Sequence, residues 1–309
     1  MNCAWPAARP WWEIDGSEAY VKDMIAVGGF GTVFGGTYRG RDVAVKFLER
    51  NSEGRSMFHR EVSFWCGLNH PNIAKFIGAT YHTSRIGFRG PRLANVCCIV
   101  SEYYPRGSLS SYLSRHRSSM LCEDVIRRMA LDAARGLSYL HERGIIHGDV
   151  KPSNLLMDTT GTVKIIDFGL SHRADHYNSS EVGGTIYYMA PEVIKDGTSS
   201  PKADVYSFGI TLWEICHNEM PYKDVKTNLV GCQKLAEREA GDIQEMSEKI
   251  RELDEEVLGR KPAKETEYER RGVQVNSLKT LPRESKRSRN MFDDWVFWGH
   301  VSPSMCISK

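Results

Sequence analysis

The sequence predicts an α+β protein with two lobes: a small antiparallel β-sheet lobe carrying one helix, then a mostly helical lobe that looks incomplete after residue 224. Three observations point there. Up to about Tyr103, short β-rich stretches are separated by glycine; from Ser108 onward apolar residues recur at helical spacing; and after Asp224 the composition changes. The predicted boundaries are an N-terminal extension over 1–19, a sheet lobe over 20–103, a partial helical lobe over 104–225 and an atypical charged tail over 226–309.

Taken in order, AYVKDMIAVG, GTVFGGTYRG and RDVAVKFLE read as strands. MFHREVSFWCGL then shows a helical pattern, with Phe58, Val62 and Trp65 on one face. The run holding Cys97 and Cys98 reads as a buried strand. VIRRMALDAARGLSYLHERG is helical and ends near a glycine, and DVYSFGITLWEICHN is apolar nearly all round, as expected of a helix inside a lobe. From Lys234 to Arg271, 21 of 38 residues are charged. Ile243, Met246, Ile250, Leu253 and Val257 make an amphipathic helix candidate near 234–258, suited either to docking on its own domain or to a helix-mediated partner.

Composition narrows the function classes. Forty-one per cent of the 309 residues are apolar, enough for a core, and a net charge of +2 gives no support for a nucleic-acid-binding surface. No run of eighteen apolar residues predicts a transmembrane segment, and MNCAWPAARPWW lacks the features of a signal peptide. Eight cysteines without a C-x-x-C pair read as free thiols of a cytoplasmic protein.

The chemistry-bearing residues come next. IAVGGFGTV is a glycine-rich hairpin in which Gly28 and Gly31 would let backbone amides approach phosphate oxygens. Lys46 lies thirteen residues past Val33, on the opposite strand face from Val43 and Val45. Taken alone it better suits an edge-strand lysine reaching water. Glu61, fifteen residues on, is placed to hold it. In HGDVKPSN, Asp149, Lys151 and Asn154 offer a base, a cation and a metal ligand on one loop. In KIIDFGL, Asp167 at a strand end suits a hard cation such as magnesium.

VAVK, HGDVKPSN, DFG (Asp167–Gly169), APE (Ala190–Glu192) and DVYSFG (Asp204–Gly209) stand in the order and spacing of the eukaryotic protein kinase family, which the chain resembles. WEID, HPNIAKFIGA, NVCCIVSEY and DVYSFGITLWEI resemble plant Raf-like MAP kinase kinase kinases, over roughly Trp12 to Asp224. The resemblance implies a protein kinase fold and an ATP-dependent serine/threonine phosphotransferase using Mg2+ in a signalling cascade, with a protein hydroxyl as substrate. It implies catalytic roles for Asp149, Lys151, Lys46 and Glu61, and metal ligation by Asn154 and Asp167. It implies ATP contacts from Ala26, Val27, Gly28, Gly29, Phe30, Gly31, Val33, Ala44, Lys46, Ser101, Glu102, Tyr104 and Leu156, with a hinge at Glu102–Tyr104 and Ser101 as a small gatekeeper. Thr185 favours serine/threonine substrates.

Three departures stand out. Ala26 replaces the usual first loop glycine, a mild change if φ stays negative there. Gly148 replaces the arginine that pairs with a phosphorylated activation segment, although Tyr177, Ser179 and Ser180 remain candidate phosphosites. Beyond Met220–Asp224 no familiar continuation is found, so Glu192 is expected to lack its usual arginine partner. This keeps open a second reading, a catalytically weak or inactive kinase-like scaffold.

Overall fold

The computed structural model describes residues 10–29, 31–90, 93–117, 121–175 and 183–221. The candidate phosphosites, the predicted helix near 234–258 and the point where the helical lobe was expected to stop all lie outside the described residues.

The first lobe is a six-stranded sheet in the order β4-β6-β3-β2-β1-β5. Its strands are β1 (Ala19–Gly28), β2 (Gly31–Tyr38), β3 (Arg41–Glu49), β4 (Phe76–Thr80), β5 (Gly87–Phe88) and β6 (Val96–Glu102). All neighbours pair antiparallel except the two-residue β5, which runs parallel to β1. Helix α1 (Ser52–Trp65) enters between β3 and β4, capped by the Asn51 side chain, which accepts from Gly54 N at 2.7 Å.

Alternation decides what this sheet offers to each side. Along β3, Val43, Val45 and Phe47 enter one apolar cluster with Val21, Ile86, Cys98 and Val100. Ala44 and Lys46 therefore face the other way. Strand β6 is buried on both faces, sending Cys97 and Ile99 into a second, larger cluster. Burial pushes the Cys97 thiol up to about 11, and the Cys98 thiol is raised as well, so both behave as apolar packing groups.

The larger cluster joins the lobes. Phe58, Val62 and Trp65 of α1 meet Phe168 and helices α2 (Leu109–Arg115), α3 (Glu123–His141) and α5 (Pro201–His217) of the second lobe in one continuous core. Helix α4 (Pro191–Asp196) packs apart from it, Val193 clustering with Ala190 and Ala203. The short strands β7 (Ile145–Ile146), β8 (Leu155–Met157), β9 (Val163–Ile165) and β10 (His172–Arg173) form two small ribbons, β10-β7 and β8-β9. Helix α5 starts on Pro201, whose missing N–H costs nothing at a first helical turn, and it is buried from Ala203 to Ile215 on more than one face.

Leu137 of α3 is fully buried in the shared core. Leu137→Ala should lower unfolding stability by about 2–5 kcal/mol, through lost burial plus the cavity left behind. Denaturant titration of the two proteins measures the difference.

Candidate active site

The glycine-rich turn closes β1 onto β2 with Gly28 opposite Gly31. Gly31 has φ 135°, and a Cβ there would lie 2.3 Å from the Phe47 carbonyl oxygen, so only glycine fits. Ala26 pairs with Val33 and is not among the four non-glycine residues at positive φ found among the described residues, so alanine is unstrained at that place. Val33 in turn pairs with Lys46, Lys46 with Ile99, and Ala44 with Ser101. Directly paired residues share a face, so Ala26, Val33, Ala44, Lys46 and Ser101 line one side of the sheet. Val27 pairs with Thr32 on the reverse side and is 70% exposed, leaving its backbone for a ligand. Phe30 lies outside the described residues.

Sequence reading missed Ile25. Strict alternation would turn it away from Ala26, but the pairing of β1 with β2 slips between Met24 and Ala26. Its terminal methyl lies 3.6 Å from where a Gly35 Cβ would be, and Gly35 pairs with Ala44 on the lined face. The irregularity carries no signature in composition.

At the end of β6, Glu102 N donates to the Lys75 carbonyl at 3.0 Å. The Tyr104 ring is buried, its hydroxyl donating to Glu102 Oε2 at 3.3 Å and accepting from Lys75 N at 3.0 Å. What Tyr104 can offer a ligand is main chain. Leu156 on β8 bridges to Ser108 just past this hinge.

Three elements meet at the Lys46 ammonium. It donates to Glu61 Oε1 at 3.0 Å and Oε2 at 2.8 Å, and to Asp167 Oδ1 at 2.8 Å. Glu61 is wholly buried on α1, and Asp167 follows β9. Desolvation pulls the Lys46 ammonium toward losing its proton, but the Asp167 and Glu61 carboxylates outweigh it and raise its pKa. Asp167 moves the other way: burial raises it, the attraction of Lys46 and its hydrogen bond outweigh burial, and the pKa is lowered. Glu61, enclosed in the core, is pushed up by burial to about 7 against the pull of Lys46. One cation faces two carboxylates, and Glu61 is the one that takes up a proton first. Asp167 also sits at φ 68°, a left-handed conformation that costs a non-glycine residue of order 1–3 kcal/mol and clusters at working sites.

The second group lies on the loop after β7. Asp149 Oδ1 accepts from Thr185 N and from Thr185 Oγ1, each at 3.1 Å. Its Oδ2 accepts from Asn154 Nδ2 at 3.0 Å and meets Lys151 Nζ at 2.6 Å. Lys151 donates onward to Thr185 Oγ1 at 2.6 Å. The hairpin β8-β9 brings the two groups to one edge: Leu155 pairs with Ile165, Ile166 N donates to the Asn154 carbonyl at 3.0 Å, and Asp167 follows directly.

A further residue without an assigned role in the sequence reading anchors the loop. Asp204 of α5, 1% exposed, accepts from His147 N at 2.8 Å, Gly148 N at 2.9 Å and His141 Nε2 at 2.8 Å. Burial raises its pKa, but the bond and charge of His141 outweigh that, and the net direction is down. Gly148 stands at φ 79°, and a Cβ there would come within 2.9 Å of the Leu170 carbonyl oxygen. Phe168 is buried against Trp65 and His147, each at 5.5 Å between ring centroids. Glu192 has no ion-pair partner among the described residues, and burial raises its pKa.

A strand-borne lysine held by a helix-borne glutamate, facing a loop of aspartate, lysine and asparagine across a two-lobed cleft, defines a protein kinase catalytic domain. The chain belongs to the protein tyrosine and serine/threonine kinase family, which matches residues 20–269 and so runs past Asp224. It is similar to plant Raf-like kinases. The serine/threonine-protein kinase CTR1 of Arabidopsis thaliana is 42% identical over 223 residues, 69% of this chain and 25% of that protein. The serine/threonine-protein kinase STY17 of the same plant is 38% identical over 215 residues, 68% of this chain and 36% of that protein. The serine/threonine/tyrosine-protein kinase HT1, also from Arabidopsis thaliana, is 35% identical over 223 residues, 70% of this chain and 54% of that protein. The chain thus spans between a quarter and about half of these relatives. Kinases of this family use ATP and Mg2+. No helix among the described residues is long and apolar enough to cross a membrane.

Asp204→Asn keeps the volume but turns an acceptor oxygen into a donor facing a backbone N–H. It should lower stability by about 1–3 kcal/mol, with the loss read by denaturant titration.

Proposed function

We propose that this chain transfers the γ-phosphate of ATP to a serine or threonine hydroxyl of a protein, in the cytoplasm and within a signalling cascade. The observation carrying the reading is the Lys46 ammonium held between Glu61 and Asp167 at 2.8 Å each. Phosphoryl transfer needs alignment and charge neutralisation more than covalent help, and a fixed buried cation beside a hard carboxylate supports that demand. In this reading Lys46 grips phosphate oxygens, Glu61 positions Lys46, and the amides of Gly28, Gly29 and Gly31 cover the phosphates. Ala26, Val33, Ala44 and Leu156 enclose the adenine, and Ser101, Glu102 and Tyr104 border its edge.

The donor set fits magnesium. Among the described residues no group of three His, Cys, Asp or Glu side chains is placed to hold a metal. Magnesium in kinases instead takes one or two protein oxygens with phosphate oxygens and water. Asn154 gives its Nδ2 to Asp149 O at 2.8 Å and Oδ2 at 3.0 Å, which turns its Oδ1 away as a free acceptor. Asn154 Oδ1 and Asp167 would hold the ion, whose chemistry is to neutralise developing phosphate charge. Asp149 orients the substrate hydroxyl and accepts its proton, Lys151 neutralises charge beside it, and Thr185 holds both in place.

Glu192, half-buried and without an ion-pair partner among the described residues, supports a second reading, a nucleotide-binding scaffold with weak or no transfer. Thermal shift with ATP and Mg2+ followed by a transfer assay separates the two, because a ligand that binds only the native state raises its midpoint. Lys46→Met and Asp167→Asn should each lower transfer by about 10²-fold or more while leaving circular dichroism unchanged. Full activity in either variant overturns the assignment.

The Glu61 proton gives a pH signature. Its folded-state pKa is raised, so the protonated form adds stability at low pH that is lost as pH rises through about 7. The grip on Lys46 changes in the opposite sense, strengthening as the carboxylate forms. Transfer should therefore climb with pH through about 7, and Glu61→Gln should flatten that limb while lowering the plateau. A pH–rate profile of both proteins tests it.

A further inference from the structure

The hinge is tied to the rest of the site by a buried phenol. Beyond β6 the Tyr103 side chain is 38% exposed, whereas Tyr104 is only 6% exposed and lies in the core that joins the lobes. Burial pushes the Tyr104 phenol up to about 12, so the hydroxyl keeps its proton and can donate and accept at once. It donates to Glu102 Oε2 and accepts from Lys75 N, which closes the hinge onto the two residues ahead of β4.

Those two residues, Ala74 and Lys75, form a junction. Each of their four main-chain groups bonds to a different part of the site. Ala74 N donates to the Ile165 carbonyl of β9 at 2.9 Å, two residues ahead of Asp167. The Ala74 carbonyl accepts from Trp65 Nε1 at 2.7 Å, at the end of α1 and one turn past Glu61. Lys75 N donates to the Tyr104 hydroxyl at 3.0 Å, and the Lys75 carbonyl accepts from Glu102 N at 3.0 Å. A single peptide unit is therefore held on its carbonyl side by an indole from α1 and on its N–H side by a phenol from the hinge. The register of β4 with β6 begins only at Phe76, so it is the phenol that satisfies the Lys75 N–H.

We propose that Tyr104 is a positioning residue for the nucleotide: its hydroxyl fixes the hinge main chain, where it borders the adenine, against the Ala74–Lys75 peptide. That peptide is bonded in turn to the strand feeding Asp167 and to the helix bearing Glu61, so the phenol ties the adenine end of the site to its phosphate end. Main-chain groups can grip a flat ring edge only if they are held in place, and a connection between two lobes is held by the side chains that anchor it. The effect on nucleotide rests on the phosphotransfer reading; the anchoring itself does not.

The test uses the full chain with Tyr104→Phe, which keeps the ring and the main chain and removes the hydroxyl alone. Hydrogen exchange is read on the Lys75 and Glu102 amides and, as a control, on those of residues 207–212 in α5. The variant should speed exchange at Lys75 and Glu102 by about tenfold or more with α5 unchanged. Its Kd for ATP with Mg2+, read by calorimetric titration, should rise by about tenfold, the loss expected of one hydrogen-bonding group. In the transfer assay the KM for ATP should rise with it and the KM for a protein substrate should not. Wild-type exchange at Lys75 overturns the proposal, as does equal acceleration in α5 or a wild-type Kd for ATP in the variant. A wild-type chain that binds ATP and transfers no phosphate sinks the phosphotransfer reading alone, because exchange and calorimetry still decide the role of Tyr104; one that binds no ATP sinks both.

Discussion

A single buried ammonium, on Lys46, is shared between a carboxylate from α1 and a carboxylate from the second lobe. Each of these charges would be costly to bury alone. Lys46 needs its partners, Glu61 needs Lys46, and Asp167 is held in its ionised form chiefly by the lysine. Sheet, helix and loop must therefore arrive together. The price of that arrangement is a local excess of negative charge, which suits a site meant to receive a metal ion along with a polyphosphate.

The second lobe is organised around a different buried carboxylate. Asp204 collects two consecutive backbone N–H groups and one imidazole, so the loop bearing Asp149 is pinned at its root by a side chain from the central helix α5. Unpaired N–H groups in such a core would cost about 1–3 kcal/mol each. The tip of the loop is pinned separately, by Thr185 on Asp149 and Lys151. Between root and tip, Asp149 has little freedom, as the role proposed for it requires.

Much of this was legible in advance. Glycine-punctuated strands, one helical window among them and later helical periodicity predicted two lobes, because apolar spacing follows which face is buried. VAVK, DFG and the helical window between them pointed to Lys46, Asp167 and Glu61, which the structure places in direct contact. What sequence hid were consequences of irregular or long-range geometry. The slip in β1 that turns Ile25 toward the lined face leaves no pattern. The Tyr104 side chain turns inward because a backbone N–H 29 residues away and a carboxylate 2 residues away offer it partners. Asp204 was visible as a motif member, yet its partners lie 56 to 63 residues upstream. Trp12 lay within the predicted extension, and nothing local announces that its carbonyl accepts from Ala79 N on β4 at 2.9 Å.

Gly148 limits what this loop can carry. Its left-handed backbone and the Leu170 carbonyl beside it leave no room for any side chain. A side chain could enter at 148 only if the neighbouring chain at Leu170 moved with it. With no cation at that position, the bonds from Thr185 to Asp149 and Lys151 are among those that tie the far end of the segment after Asp167 back to the loop.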